Sequence, residues 1–211
     1  MKLVLMHGWG FDPSMWSGLL SLLPSVEPVV QDRGYFGAPA RDWPDAPYVV
    51  AGHSFGAMLS IGKMSTLAQG FIAINGFDRF TARDGEPGVP MRVIDRMSAR
   101  FAEAPQAVLD EFRARCGTTP ADRQIRAVPL RRDLGRLRDD DQTGATAAAA
   151  IPICVLHGAT DWLLSPAHRA ASFAKGSRVE RHTHAQAGHD LPWAYPGWCA
   201  ERIDAFIAGI A

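Results

Sequence analysis

An α/β fold, with a mostly parallel central sheet, helices on both faces and an all-helical insertion, is what this sequence predicts. Two observations carry the sheet. Short apolar runs ended by Gly, Asn or a charged residue alternate with stretches of helical periodicity, the pattern of parallel strands joined by helices. At 211 residues the chain suits one domain large enough to bury a core between such layers. A third observation predicts the insertion: from about residue 79 to residue 146 the strand-like runs vanish and Arg and Asp become dense.

The strands are expected at residues 2–6, 28–31, 48–51, 71–75, 153–156 and 178–183. Asp12-Pro13 marks a helix start, with Asp as cap and Pro at the first helical position. Trp16, Leu19, Leu20 and Leu23 then recur at helical spacing. Further helices are expected at residues 55–68, 165–175 and 198–210. Within the insertion, residues 93–114 read as one or two amphipathic helices and residues 121–137 as another. Asp139-Asp140-Asp141, followed by Gly144 and an Ala run, reads as a linker. The expected organisation is a core of residues 1–78 and 147–211 interrupted by a helical lid of residues 79–146, since helices inserted between parallel strands cover a site at the strand ends.

Composition narrows the function classes. Lys plus Arg and Asp plus Glu number 22 each, so the net charge is zero and gives no global case for nucleic acid. Cys116, Cys154 and Cys199 are odd in number, widely spaced and outside any CxxC or Cys/His metal pattern, which favours a reduced compartment. Only a few residues precede the first strand, too few for a secretory signal, and no run is long enough to span a bilayer. A cytoplasmic monomer with no metal, cofactor, nucleic acid or membrane partner is therefore expected.

The chemistry concentrates in Gly52-His53-Ser54-Phe55-Gly56, a G-x-S-x-G nucleophile elbow. Alone this pattern is weak, and a Gly-rich turn with an idle serine would match it. Here Tyr48-Val49-Val50-Ala51 supplies the preceding strand and an apolar helical pattern follows. A nucleophilic serine needs a base, and the base needs a partner that fixes its tautomer. His53 adjoins the serine, where neighbouring side chains diverge. His182 and His184 alternate along a strand and are expected to face solvent, and His168 lies in a helix pattern and is expected to be exposed. His7 and His157 precede Gly at strand ends, where they line a cleft or support the turn. His189, in Ala187-Gly188-His189-Asp190, sits in the loop before the last helix and is free to reach over the sheet. The acid belongs between serine and histidine at a strand end. Asp161 fits, with Asp78 in reserve after the preceding strand. An oxyanion hole completes the set, from the backbone N–H groups of Phe55 and of Trp9 in His7-Gly8-Trp9-Gly10.

In this order, His7-Gly8-Trp9-Gly10, Asp12, Met15-Trp16, the elbow, Asp161 and His189 resemble the α/β-hydrolases. The run Arg79-Phe80-Thr81-Ala82-Arg83-Asp84-Gly85-Glu86-Pro87-Gly88 is similar to the lid entry of the pimeloyl-[acyl-carrier protein] methyl ester esterases of biotin synthesis, and Leu109-Asp110-Glu111-Phe112-Arg113 resembles their lid. The resemblance implies a Ser-His-Asp acyl-enzyme mechanism on an acyl ester borne by acyl-carrier protein, with Trp9, Phe55 and Phe112 against the acyl chain. It also implies carrier docking through lid arginines. Ala107 and Glu111 replace two of these, so Arg123 and Arg126, in a segment that also holds Arg131, Arg132, Arg136 and Arg138, are expected to serve. The strand hairpin usual before the first motif is missing, and the loop after the second strand reads Asp32-Arg33-Gly34-Tyr35-Phe36-Gly37. Two other functions stand beside this one: a general carboxylesterase for short or medium acyl esters, and a non-catalytic ligand-binding protein on the same fold.

Overall fold

The computed structural model describes residues 1–210. Six strands, β1 (Lys2–Met6), β2 (Glu27–Gln31), β3 (Tyr48–His53), β4 (Ala68–Ile74), β5 (Ile153–Gly158) and β6 (Val179–His184), form one sheet in the order β2-β1-β3-β4-β5-β6. Every strand pairing in it is parallel. Central β3 is buried at all six positions, which is why it reads as an unbroken apolar run, whereas edge strand β6 has no fully buried position.

One face of the sheet packs Leu3, Leu5, Val49, Ile72 and Leu156 under three helices, α1 (Ser17–Leu20), α8 (Leu191–Ala194) and α9 (Pro196–Ile210). The other packs Val4, Val50, Ala73 and Val155 under α2 (Phe55–Ile61), with Phe173 from the turn after α7 (Pro166–Ala171). Between β4 and β5 lie α3 (Met91–Glu103), α4 (Pro105–Arg115), α5 (Ala127–Asp139) and α6 (Thr143–Ala148). This insertion shares its core with the strand-end loops: Phe101, Leu109, Leu130 and Leu134 pack with Trp9, Phe55, Met58 and Phe77.

The insertion is also tied down by charge. Arg33, in the loop after β2, and Asp133 of α5 form a buried bidentate pair at 2.7–2.9 Å, and the Tyr35 hydroxyl donates to the same carboxylate at 2.6 Å. Burial lowers the Arg33 pKa, but Asp133 beside it outweighs this and raises it. Burial and the neighbouring Asp133 carboxylate push the Tyr35 hydroxyl well above its ordinary range.

Three local expectations are corrected. The helix after the elbow ends at Ile61, not residue 68. Residues 62–67 form a turn whose Met64 and Leu67 keep the apolar spacing by packing on the core without helical backbone. The stretch after Asp141 is not a plain linker, because α6 forms there, its Thr146 fully buried. His168 is buried rather than exposed: its Nε2 pairs with the Arg79 carbonyl at 2.9 Å, at the mouth of the insertion.

Candidate active site

Ser54 sits in the turn between β3 and α2, with φ 53° and ψ −124°. The flanking glycines make this turn possible. A Cβ on Gly52 would lie 2.4 Å from the Ala57 Cα, and one on Gly56 would lie 2.2 Å from the Met6 carbonyl oxygen. Side chains at either position would drive the elbow away from β1 and the helix, so the strained serine conformation depends on both.

Ser54 Oγ is 2.9 Å from His189 Nε2, and His189 Nδ1 is 2.8 Å from Asp161 Oδ2. All three residues are buried. A carboxylate only accepts, so Nδ1 carries the imidazole proton and Nε2 is left to accept from the serine hydroxyl. Asp161 also accepts from the Leu163 and Leu164 N–H groups at 2.8 and 3.2 Å, and from Asn75 Nδ2 at 2.7 Å. Burial alone would raise its pKa. The adjacent His189 and these hydrogen bonds outweigh burial and hold the carboxyl well below the usual carboxylate range. Asp78 lies elsewhere, its carboxylate accepting from the Phe173 N–H, and makes no contact with His189.

Two residues with supporting roles escaped the sequence reading. Asn75, at a left-handed φ of 46° just past β4, bridges the Asp161 carboxylate and the Gly188 carbonyl at 2.7 and 3.1 Å. Its only local signal is an Asn before Gly at a strand end. His53, set aside as a base, pairs through Nε2 with the His189 carbonyl at 3.0 Å and packs against Phe11 and Trp193. Burial pushes the His53 pKa down to about 3, so its ring is a neutral prop for the histidine loop. His7 takes the turn-supporting part, accepting the Arg33 N–H at 3.0 Å. His157 pairs with the Gly76 carbonyl at 3.1 Å.

Above Ser54 opens a pocket of about 250 Å³ whose walls include Trp9, Phe55, Phe77, Phe80 and Phe112. Trp9 is buried, donates its indole N–H to the Leu130 carbonyl at 2.9 Å and meets Phe101 and Phe112 edge to face, so it joins the loop after β1 to the insertion. Phe55 is the first residue of α2, where a backbone N–H has no partner within the helix.

The arginines of residues 123–138 are largely engaged within the chain. Arg123 pairs with Asp12 at 2.5 Å, Arg126 donates to the Gly37 carbonyl, Arg132 reaches Asp133, Arg136 reaches Asp140 and Arg138 reaches Asp95 and Asp139. Arg131 alone of the six has no such partner among the described residues. Away from this end of the sheet, Cys154, Glu180 and His182 hold ligand-type atoms within 4.8 Å of one another. Cys154 is at the start of β5, the end opposite Asp161. His184 stacks on Tyr195 at 4.0 Å rather than standing free in solvent. All three cysteines are buried and unpaired, and no helix among the described residues is long and apolar enough to cross a membrane.

No family model matches the chain. It is 27% identical to a pimeloyl-[acyl-carrier protein] methyl ester esterase of Aromatoleum aromaticum, over 98% of this chain and 98% of that protein. It is 28% identical to the biotin biosynthesis bifunctional protein BioHC of Cellvibrio japonicus over 99% of this chain, which spans 48% of that longer protein. Among solved structures, an esterase from Exiguobacterium antarcticum superposes with a TM-score of 0.85 at 13% identity, covering 99% of this chain and 92% of that one. A bromoperoxidase from Bacillus anthracis gives 0.82 at 15% identity, covering 98% and 91%. The chain therefore has the α/β-hydrolase fold and is similar in sequence to the pimeloyl-[acyl-carrier protein] methyl ester esterases.

Proposed function

We propose that the protein is a serine carboxylic-ester hydrolase that cleaves the methyl ester of a pimeloyl chain carried on acyl-carrier protein. The observation that carries this is the continuous relay from Asp161 through His189 to Ser54 at the floor of an apolar pocket. Ser54 Oγ attacks the ester carbonyl carbon as its proton passes to His189 Nε2. The ionised Asp161 stabilises the imidazolium that forms. The negative oxygen of the tetrahedral species is held by the backbone N–H groups of Trp9 and Phe55. The carbon–oxygen bond to the alcohol breaks, and the alcohol leaves with the proton from His189. Water then gives a proton to His189 and its hydroxyl to the acyl carbon, and the acid departs as Ser54 Oγ regains the proton.

Substrate choice rests on the pocket and on the relatives. Walls of Trp9, Phe55 and Phe112 suit a methylene chain, which gains about 0.8 kcal/mol for each CH₂ it buries. The insertion acts as a lid over this chain. The relative of near-equal length is named for the pimeloyl-carrier ester. The exposed arginines of residues 123–138, Arg123 and Arg126 foremost, form the docking face for the acidic carrier. Arg123→Glu with Arg126→Glu raises KM for the carrier-bound ester and leaves a small methyl ester less affected. An equal effect on both esters returns these arginines to the structural part that Arg123 already plays against Asp12, and supports the general carboxylesterase instead. Mass-spectrometric detection of the free acid on the carrier tests the reaction itself. A carrier ester left intact while small esters are hydrolysed contradicts the carrier substrate.

A further inference from the structure

The pocket changes character between its two ends. Its inner wall is aromatic and aliphatic, but three arginines and one glutamate line its outer end: Arg96 and Arg100 on α3, Glu111 and Arg115 on α4. All four are exposed while lining the pocket, which places them at the mouth, whereas Ser54 is buried at the floor. Arg100 and Glu111 neutralise each other through a 2.6 Å ion pair that links the two helices. Arg96 and Arg115 form no ion pair among the described residues. Although the Glu111 pKa is lowered by Arg100 and, more weakly, by the nearby Arg115, the three arginines and one glutamate leave the rim with a net charge of plus two. Arg115 is held in place by the Trp162 ring, its guanidinium carbon 3.7 Å from the ring centroid. Trp162 directly follows Asp161, so the same loop fixes the acid of the relay and the platform for a rim arginine.

An uncharged fatty ester has no use for two guanidinium groups at the mouth of its pocket. A substrate whose ester lies at Ser54 and whose other end carries negative charge does. We propose that Arg96 and Arg115 form an anion subsite, which selects acyl esters bearing an anionic group at the end of the chain remote from the scissile bond. This rests on Ser54 being the nucleophile, as above. The shared chemistry is an oxyanion: the free carboxylate of a dicarboxylic half-ester, or the phosphate of a carrier's prosthetic arm. Guanidinium groups suit both, and the site needs no other part of the carrier.

The test uses the intact protein and matched pairs of methyl esters, monomethyl esters of straight-chain dicarboxylic acids against methyl esters of monocarboxylic acids of equal length. The ratio of kcat/KM, acid-ended over neutral, should exceed one only once the chain is long enough to reach from Ser54 to the rim. It should fall toward one as salt rises, because these arginines are exposed. Arg96→Ala with Arg115→Ala should lower the ratio about fivefold to tenfold, and Arg115→Lys should restore part of it. A phosphopantetheine thioester of the half-ester against its dephosphorylated counterpart separates the two sources of charge. Preference for the phosphorylated arm assigns the subsite to the phosphate, and a preference confined to the free half-ester assigns it to the carboxylate. A ratio of one at every length, or a loss in the double variant shared equally by both esters, overturns the subsite while leaving the esterase intact. If no ester of any kind is hydrolysed, the function proposed above fails. The subsite is then decided by calorimetric binding of the dicarboxylate to the Ser54→Ala variant, with and without the two rim substitutions.

Discussion

At the floor of the pocket Ser54, His189 and Asp161 are buried, and the Asp161 carboxylate accepts from four donors. At the rim Arg96, Arg100 and Arg115 stand in water, with one carboxylate among them. The floor is assembled from β3, β4, β5 and the loop after β6, all fixed by the parallel sheet, while the rim is carried by α3 and α4 alone. Reaction chemistry needs geometry that does not relax, and recognition of a remote charge needs only the right sign near the mouth. Substitutions at the floor should therefore cost orders of magnitude in rate, and those at the rim should change preference.

The largest effect belongs to Ser54→Ala, which should lower kcat about a millionfold while the fold stays intact. Asp161→Asn follows, at about ten-thousandfold, because the wrong tautomer of His189 cannot accept the serine proton. Asp78→Asn should lose far less turnover, and the reverse ranking would move the acid to the earlier strand. Asn75→Ala, which leaves Asp161 Oδ2 with His189 as its one remaining donor and frees the Gly188 carbonyl, should cost about ten- to a hundredfold in kcat with KM little changed.

The same contrast holds for stability. Asp133→Ala strands Arg33 without its partner in a buried setting and should destabilise by about 3–5 kcal/mol in chemical denaturation. Glu111→Ala removes a carboxylate from the exposed Arg100 pair, and its effect should lie within the scatter of surface changes. Acid separates the two ends further. Burial holds His53 near 3 and lowers His157 to about 4, against an ordinary 6.5. Below pH 6.5 the unfolded chain takes up protons that these folded rings refuse, so stability is full above that pH and falls as pH drops toward 3. Asp161, depressed below its ordinary 3.8, adds to the loss only in stronger acid. Melting temperatures between pH 7 and pH 4.5 should decline, less steeply in a His157→Asn variant, and a flat profile would show that these rings take up protons while folded.

Much of this architecture is legible in the sequence, for identifiable reasons. Strands buried on both faces leave unbroken apolar runs, so β1 and the start of β3 stand where the runs do. The break between α3 and α4 falls at Ala104-Pro105, where proline takes the first helical position. The overrun of α2 arose because Met64 and Leu67 keep a helical spacing that the core satisfies from a turn. Ser54, Asp161 and His189 stand out through local motifs and chain order. Asn75 and the propping role of His53 do not, because each acts on a partner 86 to 136 residues away that no local pattern announces. The arginines of residues 123–138 are legible only in part. Their density is visible, but the acids at Asp12, Asp95, Asp133 and Asp140 that occupy most of them become neighbours only in the fold.

The central claim, that the buried relay makes Ser54 a nucleophile, is tested most directly by intact-mass and peptide mapping after treatment with a fluorophosphonate. Stoichiometric addition of one phosphonyl group, located on Ser54 and abolished by Ser54→Ala or by His189→Ala, is the predicted result. Modification of another residue, or none in a folded protein, would contradict it.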